Sequence, residues 1–157
     1  MPDRLKLALL GCGAISHFHI DGIKNGAPRI DITAAIDTDP GKADEIAAKT
    51  GAAAYNSLDE ALEKGDFDAV DVMLPHDLHE WAAISLFEEG KHVLLEKPIA
   101  PDLESCERIF AAAAKIDTVF MVAENSQYWP EIVETKRLIE DGVIGDITTA
   151  RAAFVVE

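Results

Sequence analysis

Leu5-Lys6-Leu7-Ala8-Leu9-Leu10-Gly11-Cys12-Gly13-Ala14-Ile15-Ser16 is the stretch that decides how this chain folds. A short apolar strand runs directly into G-x-G-x-x-S, and a helical pattern follows in which Ile15, Phe18, Gly22 and Ile23 share a face. This is the dinucleotide fingerprint with serine in place of its third glycine. Gly11 permits the tight turn, and Gly13 lets the backbone approach a diphosphate. The diphosphate would rest on free N–H groups at the start of the helix, at Ala14 and Ile15, and on the positive end of its dipole. The third position normally serves close packing of helix on strand, so serine leaves that packing distance open more than the binding.

The next strand, Ile30 to Ile36, ends in Asp37, 21 residues after Ser16. A carboxylate there is placed to accept both ribose hydroxyls of an adenosine. It would also repel a 2′-phosphate, and no arginine follows it, only Thr38, Asp39 and Pro40. NAD is therefore expected in preference to NADP. The bland alternative makes Asp37 a cap for the helix starting near Pro40, a task that Thr38 or Asp39 would do better.

A second informative stretch is Glu96-Lys97-Pro98, which follows the apolar run Val93-Leu94-Leu95. Such a run reads as a buried parallel strand, and ligands of open α/β sheets sit outside the carboxyl ends of such strands. A lysine placed there can reach a ligand, and burial can lower its pKa into a useful range. The alternative is an ordinary surface salt bridge at a strand end.

Strand and helix alternate through the rest at the pace of a doubly wound sheet. Gly41–Lys49 and Leu58–Lys64 read as helices ended by Thr50-Gly51 and Gly65, and Ala69–Leu74 as a strand closing with Pro75. Asp77 with Glu80 forms a capping box for a helix whose inner face carries Leu78, Trp81, Ala82 and Ser85, with Gly90 as its stop. Asp102 caps another, with Leu103, Cys106, Phe110 and Ala113 inward, and Thr118–Ala123 is a further strand. Residues 1–123 are thus one dinucleotide-binding Rossmann-type domain, a doubly wound parallel sheet. Residues 124–157 do not fit it. Pro130 starts a helix to Glu140, Asp141-Gly142 ends it, and Asp146–Val156 alternates like a strand. A lone final strand is a poor place for a domain to stop, so a truncated α+β second domain is expected to begin here. Otherwise the strand pairs with another subunit or lies along the first sheet.

Composition excludes several classes. The 157 residues can bury a full core, and 48% hydrophobic content with interspersed charge is globular. No apolar run approaches a membrane span, and the N-terminus lacks the regions of a signal peptide. Fourteen basic against 29 acidic side chains give a net charge of −15, which repels nucleic acid and anionic lipid. Neither nucleic acid nor membrane is expected as a partner. Cys12 and Cys106 stand far apart with no C-x-x-C, which suggests a reducing, cytoplasmic setting and no metal. His17 and His19 read as helix-surface residues, an H-x-H pair without the further ligands of a zinc site.

The chain resembles the N-terminal half of the glucose–fructose oxidoreductase and inositol dehydrogenase (Gfo/Idh/MocA) family over essentially its whole length. The likeness rests on Gly11-Cys12-Gly13-Ala14-Ile15-Ser16, Asp37, Leu74-Pro75-His76, His79 and Gly90-Lys91-His92-Val93-Leu94-Leu95-Glu96-Lys97-Pro98. Asn125, Trp129-Pro130 and Leu138 to Ile147 extend it. The resemblance implies NAD(P)-dependent oxidation of a sugar, polyol or related hydroxyl compound, with a second domain that covers the nicotinamide and often builds a homo-oligomer interface. It makes Lys97 the lysine at the reacting centre, its pKa lowered by desolvation and by the nearby nicotinamide. Glu96 would contact the nicotinamide end and help hold Lys97, and Pro98, cis in some relatives, would fix the turn. Leu74, Pro75 and His76 would line the cofactor, with His79 bracing their loop. Two departures stand out. Gln127-Tyr128-Trp129 replaces a segment that often carries arginine, which weakens the inference of an acidic substrate. The aspartate and histidine partners of the lysine belong to the second domain, so this stretch alone is expected to bind dinucleotide and turn over poorly. A non-catalytic dinucleotide sensor or partner module, and an NAD-dependent glycosidase, are the alternatives.

Overall fold

The computed structural model describes residues 4–153, which fall into two compact units divided between Ala123 and Glu124. The first is built on six strands: β1 (Leu5–Leu10), β2 (Ile30–Ile36), β3 (Ala53–Tyr55), β4 (Ala69–Val72), β5 (His92–Leu95) and β6 (Phe120–Val122). All pair in parallel, in the order β3-β2-β1-β4-β5-β6. The order reverses between β1 and β4, and open α/β sheets bind their ligands outside the carboxyl ends of the strands at such a point.

Helices cover both faces, as parallel strands require. On one face α1 (Ala14–Gly26) and α2 (Pro40–Thr50) pack over Leu7, Leu9, Ala35, Ala69 and Met73 through Ile20 and Ile46. On the other, α3 (Leu58–Lys64), α4 (His79–Glu88) and α5 (Leu103–Ala113) pack over Leu10, Ile36, Val70, Val72 and Leu95. Local chemistry sets the helix ends. Asp39 accepts from Gly41 N at the start of α2, and Gly51 closes it at φ +81°. Ser57 accepts from Glu60 N to start α3, and Asp102 accepts from Ser105 N to start α5.

The expected helix faces need correction. On α1 the inward residues are Ser16 and Ile20, with Ile23 partly buried, whereas Phe18 is 74% exposed. On α5 they are Ser105 and Ile109, and Leu103 is 82% exposed. On α4 they are Ala82, Ala83, Leu86 and Phe87, with Trp81 about half exposed. A helix turns about 100° per residue, so choosing the largest apolar side chains instead of the small ones that touch the sheet rotates the predicted face. The Asp77–Glu80 capping box does not form. His76–Leu78 is a 3₁₀ turn, α4 starts at His79 without a side-chain cap, and Glu80 pairs bidentately with Arg108 at 2.5 and 2.9 Å.

The second unit contains a 3₁₀ turn, Ser126–Tyr128, and α6 (Pro130–Glu140), which opens with its proline and ends before Gly142 at φ +69°. The strand expected over Asp146–Val156 is absent from residues 146–153, and its last three positions lie outside the described residues. Alternating side chains make a strand only where a neighbour completes the ladder.

Candidate functional site

The glycine turn is fixed by close approach. Gly11 sits at φ +97°, its N–H donates to Ile36 O at 2.9 Å, and a Cβ added to it would lie 2.5 Å from Met73 O. Only glycine fits there. Gly13 differs: it is the N-cap of α1 with ordinary φ, and an added Cβ would meet nothing within 4 Å. The chain's own packing therefore does not require glycine at this position. No side chain caps α1, and Ala14 and Ile15 are exposed at its first turn. Glycine, open space and an uncapped helix start suit a diphosphate. Ser16, in the third fingerprint position, is fully buried and donates from Oγ to Gly13 O at 2.7 Å, so helix and strand pack closely with serine in place.

Asp37 stands at the tip of β2. Its Oδ2 accepts from Cys12 N at 2.9 Å and its Oδ1 from Asp39 N at 2.9 Å. It thus ties the glycine turn to the end of the next strand, and Asp39, not Asp37, caps α2. Cys12 lies buried under the turn, and burial pushes its thiol up to about 11, with Asp37 adding to the effect. A thiol held that far up offers no nucleophile at neutral pH.

At the ends of β4 and β5, Leu74 is half-buried and Pro75 and His76 are exposed. His79 is fully buried, so it acts through the loops it joins. Its Nδ1 lies 2.9 Å from Pro98 O and its Nε2 2.9 Å from Leu74 O. The Lys97–Pro98 peptide is cis. Lys97 itself is exposed, so the desolvation expected of it is not supplied by this part of the chain. Glu96 Oε2 accepts from the Lys97 backbone N–H at 2.8 Å.

One group of residues was missed in the sequence. His19, expected on the helix surface, has a side chain only 16% exposed. Its Nδ1 lies 2.7 Å from Asp71 Oδ2 and its Nε2 3.0 Å from Glu96 Oε1. Asp71 is 1% exposed in the middle of β4, and its Oδ1 has no hydrogen-bond partner among the described residues. Hydrogen bonding to Asp71 raises the His19 ring to about 8, opposed by burial and helped by Glu96. Burial pushes the Asp71 carboxyl up, and the His19 ring opposes that. The carboxylate facing each nitrogen favours the protonated form of the His19 ring. The signal was available: an aspartate inside the apolar run Ala69-Val70-Asp71-Val72 needs a buried partner.

Among the described residues, no cluster of His, Cys, Asp or Glu is arranged to hold a metal, and no helix is long and apolar enough to cross a membrane. A shallow cleft of about 270 Å³ lined by Arg4, Lys24, Pro28, Asp31 and Thr50 lies at the opposite, amino ends of β1 and β2, away from these groups.

A parallel sheet in this order, with a glycine turn after its first strand and an acid after its second, defines the class of dinucleotide-binding α/β proteins. The chain belongs to the Gfo/Idh/MocA oxidoreductase family with an NAD-binding Rossmann fold, whose model matches residues 5–124. It is 31% identical over 153 residues to an inositol 2-dehydrogenase of Corynebacterium glutamicum, covering 96% of this chain and 45% of that protein. Among solved structures it is similar to the WlbA dehydrogenase of Bordetella pertussis in complex with NADH and UDP-GlcNAcA. There the TM-score is 0.87 at 31% identity, over 92% of this chain and 42% of that one. The scyllo-inositol dehydrogenase of Lactobacillus casei with bound NAD(H) and scyllo-inositol gives a TM-score of 0.87 at 26% identity, over 92% and 43%. The chain therefore spans under half the length of these relatives.

Proposed function

We propose that this chain is the cofactor-binding part of an NAD-dependent oxidoreductase that oxidises a hydroxyl group of a sugar, polyol or related compound. The observation that carries this reading is the gathering of Gly11, Gly13, Asp37, Glu96 and Lys97 at the carboxyl ends of β1, β2 and β5, on either side of the switch point. In this reading the N–H groups of Gly13, Ala14 and Ile15 hold the diphosphate, and Asp37 takes the ribose hydroxyls with its remaining lone pairs. The same carboxylate disfavours a 2′-phosphate, hence NAD over NADP. Leu74, Pro75 and His76 line the cofactor, and His79 braces their loop against the Pro98 turn. Bound NAD supplies the hydride acceptor. Lys97 hydrogen-bonds the substrate hydroxyl and takes its proton as the hydride leaves the carbon, so that an alcohol becomes a carbonyl and the proton is accounted for. Glu96 holds the Lys97 backbone, and Pro98 shapes the turn.

Residues 1–123 are then the dinucleotide-binding domain, and the residues from 124 on open a substrate domain that also serves a homo-oligomer interface. Two unpaired cysteines and an acidic surface agree with a cytoplasmic enzyme without nucleic-acid or membrane partners. The test is an assay of the complete protein with NAD and a panel of cyclic polyols and sugars. Accumulation of NADH with a hydroxyl substrate is expected. Release of an aglycone from a glycoside without NADH accumulation would point to a glycosidase instead, and cofactor binding without either reaction would leave a sensor.

A further inference from the structure

We propose that His19 is a positioning residue for Lys97, acting through Glu96 while anchored on the buried Asp71. The proposal rests on the reading of Lys97 as the lysine at the reacting centre. Three elements meet at this point. His19 comes from the middle of α1, Asp71 from β4, and Glu96 from the end of β5. The His19 ring is gripped at both nitrogens, at 2.7 Å by Asp71 and at 3.0 Å by Glu96. Ionised carboxylates can only accept, so a ring that bonds to both in that form carries two N–H groups.

The direction of control follows from burial. Asp71 is the fixed end, inside a strand covered on both faces, with His19 as its one hydrogen-bond partner among the described side chains. Glu96 is the delivering end. Its Oε1 meets the His19 ring, and its Oε2 accepts from the backbone N–H of Lys97 at 2.8 Å. A carboxylate held at both oxygens has a defined plane, and the residue bonded to it has a defined start for its side chain. Without the imidazolium, Glu96 keeps one contact and can rotate, and the base of Lys97 moves with it. The charged and titratable groups that face His19 are Asp71 from β4 and Glu96 from the end of β5. His17, on the same helix, pairs with Lys49 and Glu45 instead.

Nitrogen-15 NMR of the imidazole rings, combined with the backbone amide of Lys97 followed across pH, tests this without any need for turnover. Both His19 nitrogens are expected to be protonated at neutral pH. The ring should titrate with a midpoint of about 8, and the Lys97 amide resonance should move with that same midpoint. In His19→Gln, which keeps an amide donor but does not titrate, that step at Lys97 should vanish. A ring with one bare nitrogen at neutral pH overturns the proposal, as does a Lys97 amide indifferent to the ring or a step that survives His19→Gln. The wild-type titration decides the point even if the variant misfolds. In the complete enzyme the same coupling should place a limb in the kcat profile at the ring's midpoint. If Lys97→Ala left turnover intact, the functional reading would fail while the NMR coupling stood by itself.

Discussion

Replacing Lys97 with alanine is expected to lower kcat of the complete enzyme by roughly 10²- to 10⁴-fold while leaving the affinity for NADH nearly unchanged, the range usual for loss of a positioned acid–base group. The side chain supports nothing in the fold. It is exposed, and among the described residues its ammonium makes no hydrogen bond or ion pair; the one bond of the residue is its backbone N–H to Glu96. Truncation therefore removes chemistry without removing packing, and unfolding curves of variant and wild type should superimpose. Arginine should not rescue, because a guanidinium stays charged and cannot take the proton. Steady-state kinetics with a nicotinamide titration alongside checks all three statements. Wild-type turnover in the alanine variant would remove Lys97 from the reaction.

The two glycines of the turn should part company. Gly11→Ala puts a methyl group 2.5 Å from Met73 O on a backbone at φ +97°, where both sterics and conformation oppose it. Overpacking and a left-handed non-glycine residue together should destabilise the domain by roughly 2–5 kcal/mol, and NADH binding should be lost with the turn. Gly13→Ala has free space around the new methyl and an ordinary φ of −78°. It should unfold at the wild-type denaturant concentration yet bind NADH at least about tenfold more weakly, as expected of a methyl placed where the backbone must approach a phosphate. A stable Gly13→Ala that binds NADH normally would mean that the open space beside α1 is not where the diphosphate rests.

How much of this was legible beforehand depends on whether a feature is local. The strand–glycine–helix–strand–acid unit reads directly from residues 5–37, because each step is a short-range requirement: a turn, a cap, a strand end. The Glu96-Lys97-Pro98 turn reads the same way. What failed was long-range or relational. The inward faces of α1 and α5 are set by how closely each helix approaches the sheet, which favoured Ser16 and Ser105 over Phe18 and Leu103. Strand β3 is three residues long, Ala53–Tyr55, and exists through its pairing with β2. The strand expected from Asp146 has no ladder partner among the described residues. The cluster of His19, Asp71 and Glu96 joins residues 52 and 77 positions apart, and no spacing rule connects them. Asp71 alone gave a hint, as a charge inside an apolar strand.

The central claim is that the glycine turn and Asp37 form a working site for NAD. A nicotinamide fluorescence titration of this chain with NADH, and separately with NADPH, tests it most directly, with Asp37→Ala as the companion variant. Saturable NADH binding that exceeds NADPH binding, and that weakens in Asp37→Ala, is the predicted result. Tighter binding of NADPH, or NADH binding indifferent to Asp37, would contradict it.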